Sequence, residues 1–276
     1  MTEPIHVIID GIKCYAPELI NESEDYPYEL FSRVDSFEQR HFWYSGRKKS
    51  ILNMLLRNNV IDEDLNFFEI GGGTGATSNF LKGNFKGKFL VSEISISAIK
   101  NAKLRYPHCE YVQMDARNIP FENLFNFVGM FDVIEHIEED NLVMSNIHRA
   151  LTARGFLILS VPQYQWLWSE HDQLSGHKRR YSRSSLESLL RRNGFELLDC
   201  SSFLFCAFPL MLAARLKRTK GEEVPAGNFS EVSGLEVSPI LNWVLSKLTS
   251  LDSILIRAGF SLPFGGSLIA IAKRSS

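Results

Sequence analysis

The chain has 276 residues, 45% of them hydrophobic and 12% aromatic, enough apolar material for one large α/β domain with an insertion and too much for a disordered chain. Lys and Arg number 30 against 32 Asp and Glu, a formal charge of −2, so no whole-protein field draws it onto nucleic acid or anionic lipid. Cys14, Cys109, Cys200 and Cys206 form no CxxC pair, which argues against a zinc ribbon or disulfide framework and points to a reducing cytosol.

The N-terminus lacks the basic stretch and long apolar run of a secretory signal. Residues 1–60 read as a loop-like leader followed by a helix over Glu38–Arg57, with aromatics at its start (His41, Phe42, Trp43 and Tyr44). Residues 61–205 then alternate apolar runs with helical spacing. The runs are Asn66–Ile70, Lys88–Ser92, Glu110–Met114, Phe125–Met130, Phe156–Val161 and Phe195–Phe205, and Ser267–Ala272 returns to the pattern within residues 265–276. The helical segments are Ala76–Lys82, Ser97–Arg105, Asn141–Ala153 and Ser184–Arg192. Strand–helix alternation with near-continuous apolar strands predicts a doubly wound α/β domain with a parallel sheet covered on both faces.

Ser184, three residues before Glu187, reads as a capping box, and Gly194 and Gly155 read as helix stops. Residues 206–264 form an insertion before the last strand: it begins within the apolar segment 203–214 and continues through a basic stretch (215–220), a polar loop (217–239) and a helix over Ile240–Ala258. Pro209 interrupts the apolar segment, which falls short of the roughly 20 residues of a bilayer span. The insertion is a candidate lid, apolar substrate wall, membrane-surface contact or dimer face.

The sharpest chemical signal is Phe67-Phe68-Glu69-Ile70-Gly71-Gly72-Gly73-Thr74-Gly75, a strand ending in an acid and then a glycine turn opening a helix. Glycines there let a ligand lie against bare backbone, and the helix start offers unpaired N–H groups. Gly71, Gly73 and Ala76 also satisfy the dinucleotide pattern GxGxxA. Glu93 ends the second strand, where an acid can accept both hydroxyls of a ribose, and Asp115 ends the third, where it can accept from an exocyclic amine. The fourth strand leads into Asp132-Val133-Ile134-Glu135-His136.

These residues resemble the class I S-adenosylmethionine-dependent methyltransferases, small-molecule type, over about residues 40–274. Glu69, Gly71, Gly73 and Gly75 look like that family's first motif, which implies S-adenosylmethionine as cofactor with the glycines against its methionine part. Glu93 with Ile94 matches the ribose side, and Asp115 with Ala116 matches the adenine side. Met130 and Asp132 belong to the fourth-strand segment. The resemblance implies a Rossmann-like seven-stranded sheet, ordered 3-2-1-4-5-7-6 with the last strand antiparallel. In this fold a leading helix often covers the cofactor, which makes Tyr44 and Arg47 cofactor candidates. The segments 41–47 and 263–268 look, more loosely, like a bacterial subgroup.

For catalysis, His136 beyond the fourth strand is a base or an orienting group, or else closes a turn. The segment 168–181 after the fifth strand adds His171, Asp172 and His177, which could polarise an acceptor. Lys178, Arg179 and Arg180 could hold an anion, or brace the next helix. Two histidines six residues apart on a loop do not fix a ligand geometry, so no metal is assigned. The reading is therefore methyl transfer to an oxygen or nitrogen of a small acceptor, with sugar-, phosphate- or lipid-linked molecules among the candidates. It expects a cytoplasmic monomer or homodimer, with peripheral membrane contact open and no nucleic acid. The alternatives are an NAD-dependent oxidoreductase and a non-catalytic cofactor-binding scaffold. Against the oxidoreductase, the Tyr-x-x-x-Lys match Tyr44–Lys48 precedes the glycine turn.

Overall fold

A computed structural model of the chain describes residues 4–20, 37–60, 65–218 and 237–275, with side chains left out of the description over 214–218. Among these residues nine strands form one sheet: β1 Val7–Ile9, β2 Ile12–Cys14, β3 Leu65–Ile70, β4 Gly87–Glu93, β5 Glu110–Gln113, β6 Phe125–Phe131, β7 Leu151–Pro162, β8 Phe195–Phe203 and β9 Ser267–Arg274. The order is β1-β2-β5-β4-β3-β6-β7-β9-β8. Strands β2 to β7 pair in parallel, and β9 runs antiparallel between β7 and β8.

The fold is α/β and Rossmann-like, but the sheet has nine strands rather than the expected seven. The two extra strands come from the leader read as loop-like. Val7-Ile8-Ile9 and Ile12-Lys13-Cys14 are short β-forming runs, and Asp10 and Gly11 between them adopt φ of 50° and 72°. Both central residues in the left-handed region make the two-residue hairpin turn that Asp-Gly favours. The hairpin then pairs β2 with the edge strand β5, Cys14 opposite Gln113.

The helices are α1 Phe42–Asn58, α2 Ala76–Lys82, α3 Ile96–Arg105, α4 Asp140–Ala150, α5 Glu170–Leu174, α6 Arg183–Arg192, α7 Phe208–Arg218 and α8 Pro239–Arg257. Consecutive strand residues alternate between two buried clusters, Phe67 in one and Phe68 in the other. The first cluster takes Ile51, Met54 and Leu55 of α1 with Ile99 of α3. The second takes Ile147 of α4 and Leu186, Leu189 and Leu190 of α6. Helices thus cover both faces, as two-sided burial of a parallel sheet requires.

Two boundary expectations are corrected. Helix α6 is capped by Ser182, whose hydroxyl accepts from Ser185 N–H at 3.0 Å, and not by Ser184. Helix α4 ends at Ala150, and Leu151 already opens β7, so Gly155 lies inside a strand. Gly194 does follow α6 with φ of 77°.

Between β8 and β9 the chain builds α7 and α8, and α8 lies along α1. Asn242 of α8 accepts from Phe42 N–H at 2.9 Å and donates to Arg40 O at 3.0 Å, so the insertion helix caps the leader helix. Asp252 of α8 is fully buried and accepts from the N–H groups of Phe205 and Cys206 at 2.8 and 3.0 Å. On the outer side of α8, Ile240, Trp243, Leu251 and Ile254 are exposed. No helix among the described residues is long and apolar enough to cross a membrane. The basic residues expected at 215–220 and most of the polar loop lie outside the residues whose side chains are described.

Candidate active site

The site lies where open α/β sheets bind ligands, beyond the carboxyl ends of β3, β4, β6 and β7. After β3, Gly71, Gly73 and Gly75 all take positive φ, 65°, 52° and 75°. Their reasons differ. A Cβ on Gly71 would lie 2.6 Å from Val133 Cγ2, so that glycine also serves close packing, whereas a Cβ on Gly73 would meet nothing within 4 Å. Gly73 is the open point of the cradle. Beside it, the Glu93 carboxylate accepts from Gly73 N–H at 3.0 Å, Ile94 N–H at 2.8 Å and Ser95 N–H at 3.3 Å. Burial raises the Glu93 pKa while these three amides counter it. A carboxylate has about four lone-pair sites, so Glu93 retains acceptor capacity toward a ligand lying on Gly73.

The expected leader residues come to the same place. Arg47, 7% exposed, donates to Asp132, and its guanidinium lies 4.6 Å from the Trp43 ring centre and 5.6 Å from that of Tyr44. Asp132 follows β6 with φ of 55°, a strained conformation for a non-glycine residue, and also accepts from Ser160 Oγ at 2.8 Å. Arg47 Nε is buried without a hydrogen-bond partner among the described residues. Glu38, missed by the sequence reading, is 4% exposed and accepts from Thr74 of the glycine turn, tying the leader to the cradle. Its only sequence signal was its place at the start of the predicted leader helix.

Glu69, 2% exposed, sits under the turn and accepts from Ser78 of α2. Burial raises its pKa to about 7, against the Ser78 hydrogen bond and the Arg47 charge, with Glu38 adding to the rise. The folded state therefore holds a proton there that the unfolded chain releases near its ordinary 4.5. Stability should fall as pH rises through this window, by roughly 3 kcal/mol for this group. Glu69→Gln should flatten the ligand-free melting profile between these limits; an unchanged slope would show that Glu69 is ionised in the fold.

The expected catalytic residues also converge. His136, on a single turn after β6, has its ring centre 4.7 Å from that of His177, and His171 lies 6.5 Å from His177. Crowding by protein and then the neighbouring His177 hold the His136 pKa below the ordinary imidazole value. Asp172 is fully buried and accepts from His177 Nδ1 at 2.9 Å, Arg180 Nε at 2.7 Å and Ser169 N–H at 2.7 Å. Burial alone would raise its pKa, but the bonds from His177 and Arg180 hold it well below the carboxylate range. Arg179 pairs with Glu138 at 2.9 Å and Asp140 at 2.8 Å. Both arginines thus brace the loop, and Lys178 is the exposed cation of the three.

Glu135, next to His136, was quoted in the sequence but given no role. It is 0% exposed, and burial followed by the Asp132 charge raises its pKa well above the usual range. Asp115 is engaged by Arg117, Nε to Oδ2 at 2.9 Å, and Ala116 is buried beside it. Ile94 is 36% exposed next to Glu93. Met130 is not at the cleft: its side chain is fully buried in the second core cluster, because alternation along β6 turns that position into the sheet face.

The fold is that of the Rossmann-like α/β class. Residues 39–199 match the family model described as a methyltransferase domain. The chain belongs to that family and is a class I S-adenosylmethionine-dependent methyltransferase. Among solved structures, it is similar to a chain of the Haloferax volcanii complex between the Trm112 methyltransferase activator and a methyltransferase (13% identity, TM-score 0.60, 93% of this chain and 98% of that one). A SAM-dependent methyltransferase of Thermotoga maritima follows at 19% identity and TM-score 0.53, covering 90% and 99%. The [4+2]-cyclase SpnF is also similar, at 16% identity and TM-score 0.55, covering 84% and 82%. These likenesses concern the fold. No curated protein sequence matches the chain. The open Gly73, the acceptor capacity of Glu93 and the unpartnered Arg47 Nε fit a cofactor carrying a ribose and a carboxylate.

Proposed function

We propose that this chain transfers the methyl group of S-adenosylmethionine to an oxygen or nitrogen of a small acceptor, of sugar-, phosphate- or lipid-linked type, in a reducing cytosol. The observation that carries the reading is the convergence of the Gly73 cradle with its Glu93 acceptor and the His136–His177 pair on one edge of the sheet. The cofactor, when bound, supplies a methyl group already made electrophilic by its sulfonium. The chain's part is to hold and orient. Gly71, Gly73 and Gly75 receive the methionine portion and Glu93 the ribose hydroxyls. Asp115 takes the adenine amine, sharing its charge with Arg117. Arg47, with Tyr44 and Trp43 stacked on it, orients Asp132 and faces the cofactor carboxylate. His136 and His177 face the acceptor, where His136 takes its proton or positions it.

His136→Ala should lower turnover by about 100-fold and leave S-adenosylmethionine affinity unchanged; undiminished turnover would make His136 a structural residue. The function itself is tested by incubating the protein with methyl-labelled S-adenosylmethionine and a panel of small hydroxyl and amine acceptors, with Glu93→Ala as control. Label in a small molecule is expected. Label only in RNA or protein would contradict the reading.

A further inference from the structure

Glu135 is fully buried, and neither carboxylate oxygen has a hydrogen-bond partner among the described residues beyond the edge-of-reach influence of its own amide. A buried carboxylate in that state is costly unless something meets it. What it faces is specific: one Glu135 oxygen and one ring nitrogen each of His136 and His177 lie within 4.8 Å of one another. The rings are also held as metal-bound imidazoles are held. His177 directs Nδ1 to the Asp172 carboxylate at 2.9 Å, and Arg180 fixes that carboxylate in turn. With the proton on Nδ1, the His177 Nε2 keeps its lone pair. His136 has a backbone hydrogen bond to Ser175 on the same loop. A ligand histidine almost always gives its second nitrogen to a carboxylate or a carbonyl in this manner. The loop is pinned to the other ligand as well, since Lys178 N–H donates to Glu135 O at 2.7 Å.

We infer that Glu135, His136 and His177 form a binding site for a divalent transition-metal cation of the zinc class. Two imidazoles and one carboxylate are a common donor set for such ions, with remaining positions open to water or substrate. Zinc sits at about 2.1 Å from each donor, and the three donor atoms all lie within 4.8 Å of one another. His136 is the exposed donor of the three. The two loop histidines and Asp172 alone do not spell this site in the sequence. Asp172 turns out to be the outer partner, and the missing ligands come from the turn after β6.

Cation binding follows from these residues alone. Its use, holding an oxygen of the acceptor in front of the methyl group, rests on the methyl-transfer reading and gives His136 the orienting role.

The test is calorimetric titration of the full, chelator-treated protein with zinc chloride, alongside a separate S-adenosylmethionine titration of the same preparation. One zinc per chain is expected, weakened at least ~100-fold in His177→Ala and in the exposed-site variant His136→Gln, with Glu135→Gln as the third and His108→Ala as a surface control that binds normally. Cobalt(II) should give the absorption of a site without thiolate. Absence of stoichiometric zinc, wild-type affinity in the His136 and His177 variants, or a thiolate band would overturn the site. The cofactor titration stands or falls independently of these outcomes.

Discussion

Asp172→Ala should destabilise the folded protein by about 3–5 kcal/mol, the cost of stripping one partner from a buried ion pair. The Asp172 carboxylate is inaccessible to solvent and accepts five contacts: Arg180 through Nε and Nη2 at 2.7 and 3.0 Å, His177 at 2.9 Å, and Ser169 through N–H and Oγ at 2.7 and 2.9 Å. Removing it leaves an Arg180 side chain, only 7% exposed, with a charge and no counterion. It also removes the capping box of α5 and the anchor of the His177 ring. Urea unfolding measures the loss. Arg180→Ala and the double variant separate the ionic coupling from the cap, and the double variant should be less destabilised than the sum of the singles. A loss under about 1 kcal/mol, the range of exposed pairs, would mean that the loop is solvated and cannot hold His177.

Asp199→Ala should have an effect of similar size, about 3–5 kcal/mol, at the far end of the same architecture. Arg57, in the last turn of α1, forms a two-nitrogen pair with Asp199 of β8, the side chains being 10% and 9% exposed. Arg57 Nη1 also donates to Ile256 O at 2.9 Å and Phe260 O at 2.7 Å, and Asn58 Nδ2 donates to Asp199 at 2.7 Å. One carboxylate thus fastens the leader helix, the sheet and the end of α8. Replacing both charges by apolar residues, Arg57→Met with Asp199→Leu, should recover much of the loss, since the penalty lies in the orphaned charge. Equal loss in the single and double variants would show that shape, not charge, governs the junction.

The fold class was legible because a parallel sheet covered on both faces writes near-continuous apolar runs into the chain. Helix α2 was bounded by pattern alone at Ala76–Lys82, the span it has. The β1–β2 hairpin carried its own signal, Asp10-Gly11 between β-branched runs, but each strand is three residues long and gains its stability only by joining β5. Gly155 misled because a glycine after a helical pattern looks the same whether it stops a helix or lies in a strand. At the site, glycines and strand-end acids were readable since the fold puts them on one edge. Glu38 and Glu135 were not: their importance comes from burial against Thr74 and against two histidines, and no spacing in the sequence encodes that.

In the proposed cofactor site, Glu93, held against Gly73, receives a ribose. The direct measurement is calorimetric titration of wild-type and Glu93→Ala protein with S-adenosylmethionine, with NAD as a parallel ligand. Micromolar binding to the wild type, none of NAD, and at least ~10-fold weaker binding to the variant are expected, since hydrogen bonds to a charged group contribute about 1.5–3 kcal/mol. Equal affinity in the two proteins, or binding of NAD in place of S-adenosylmethionine, would contradict it.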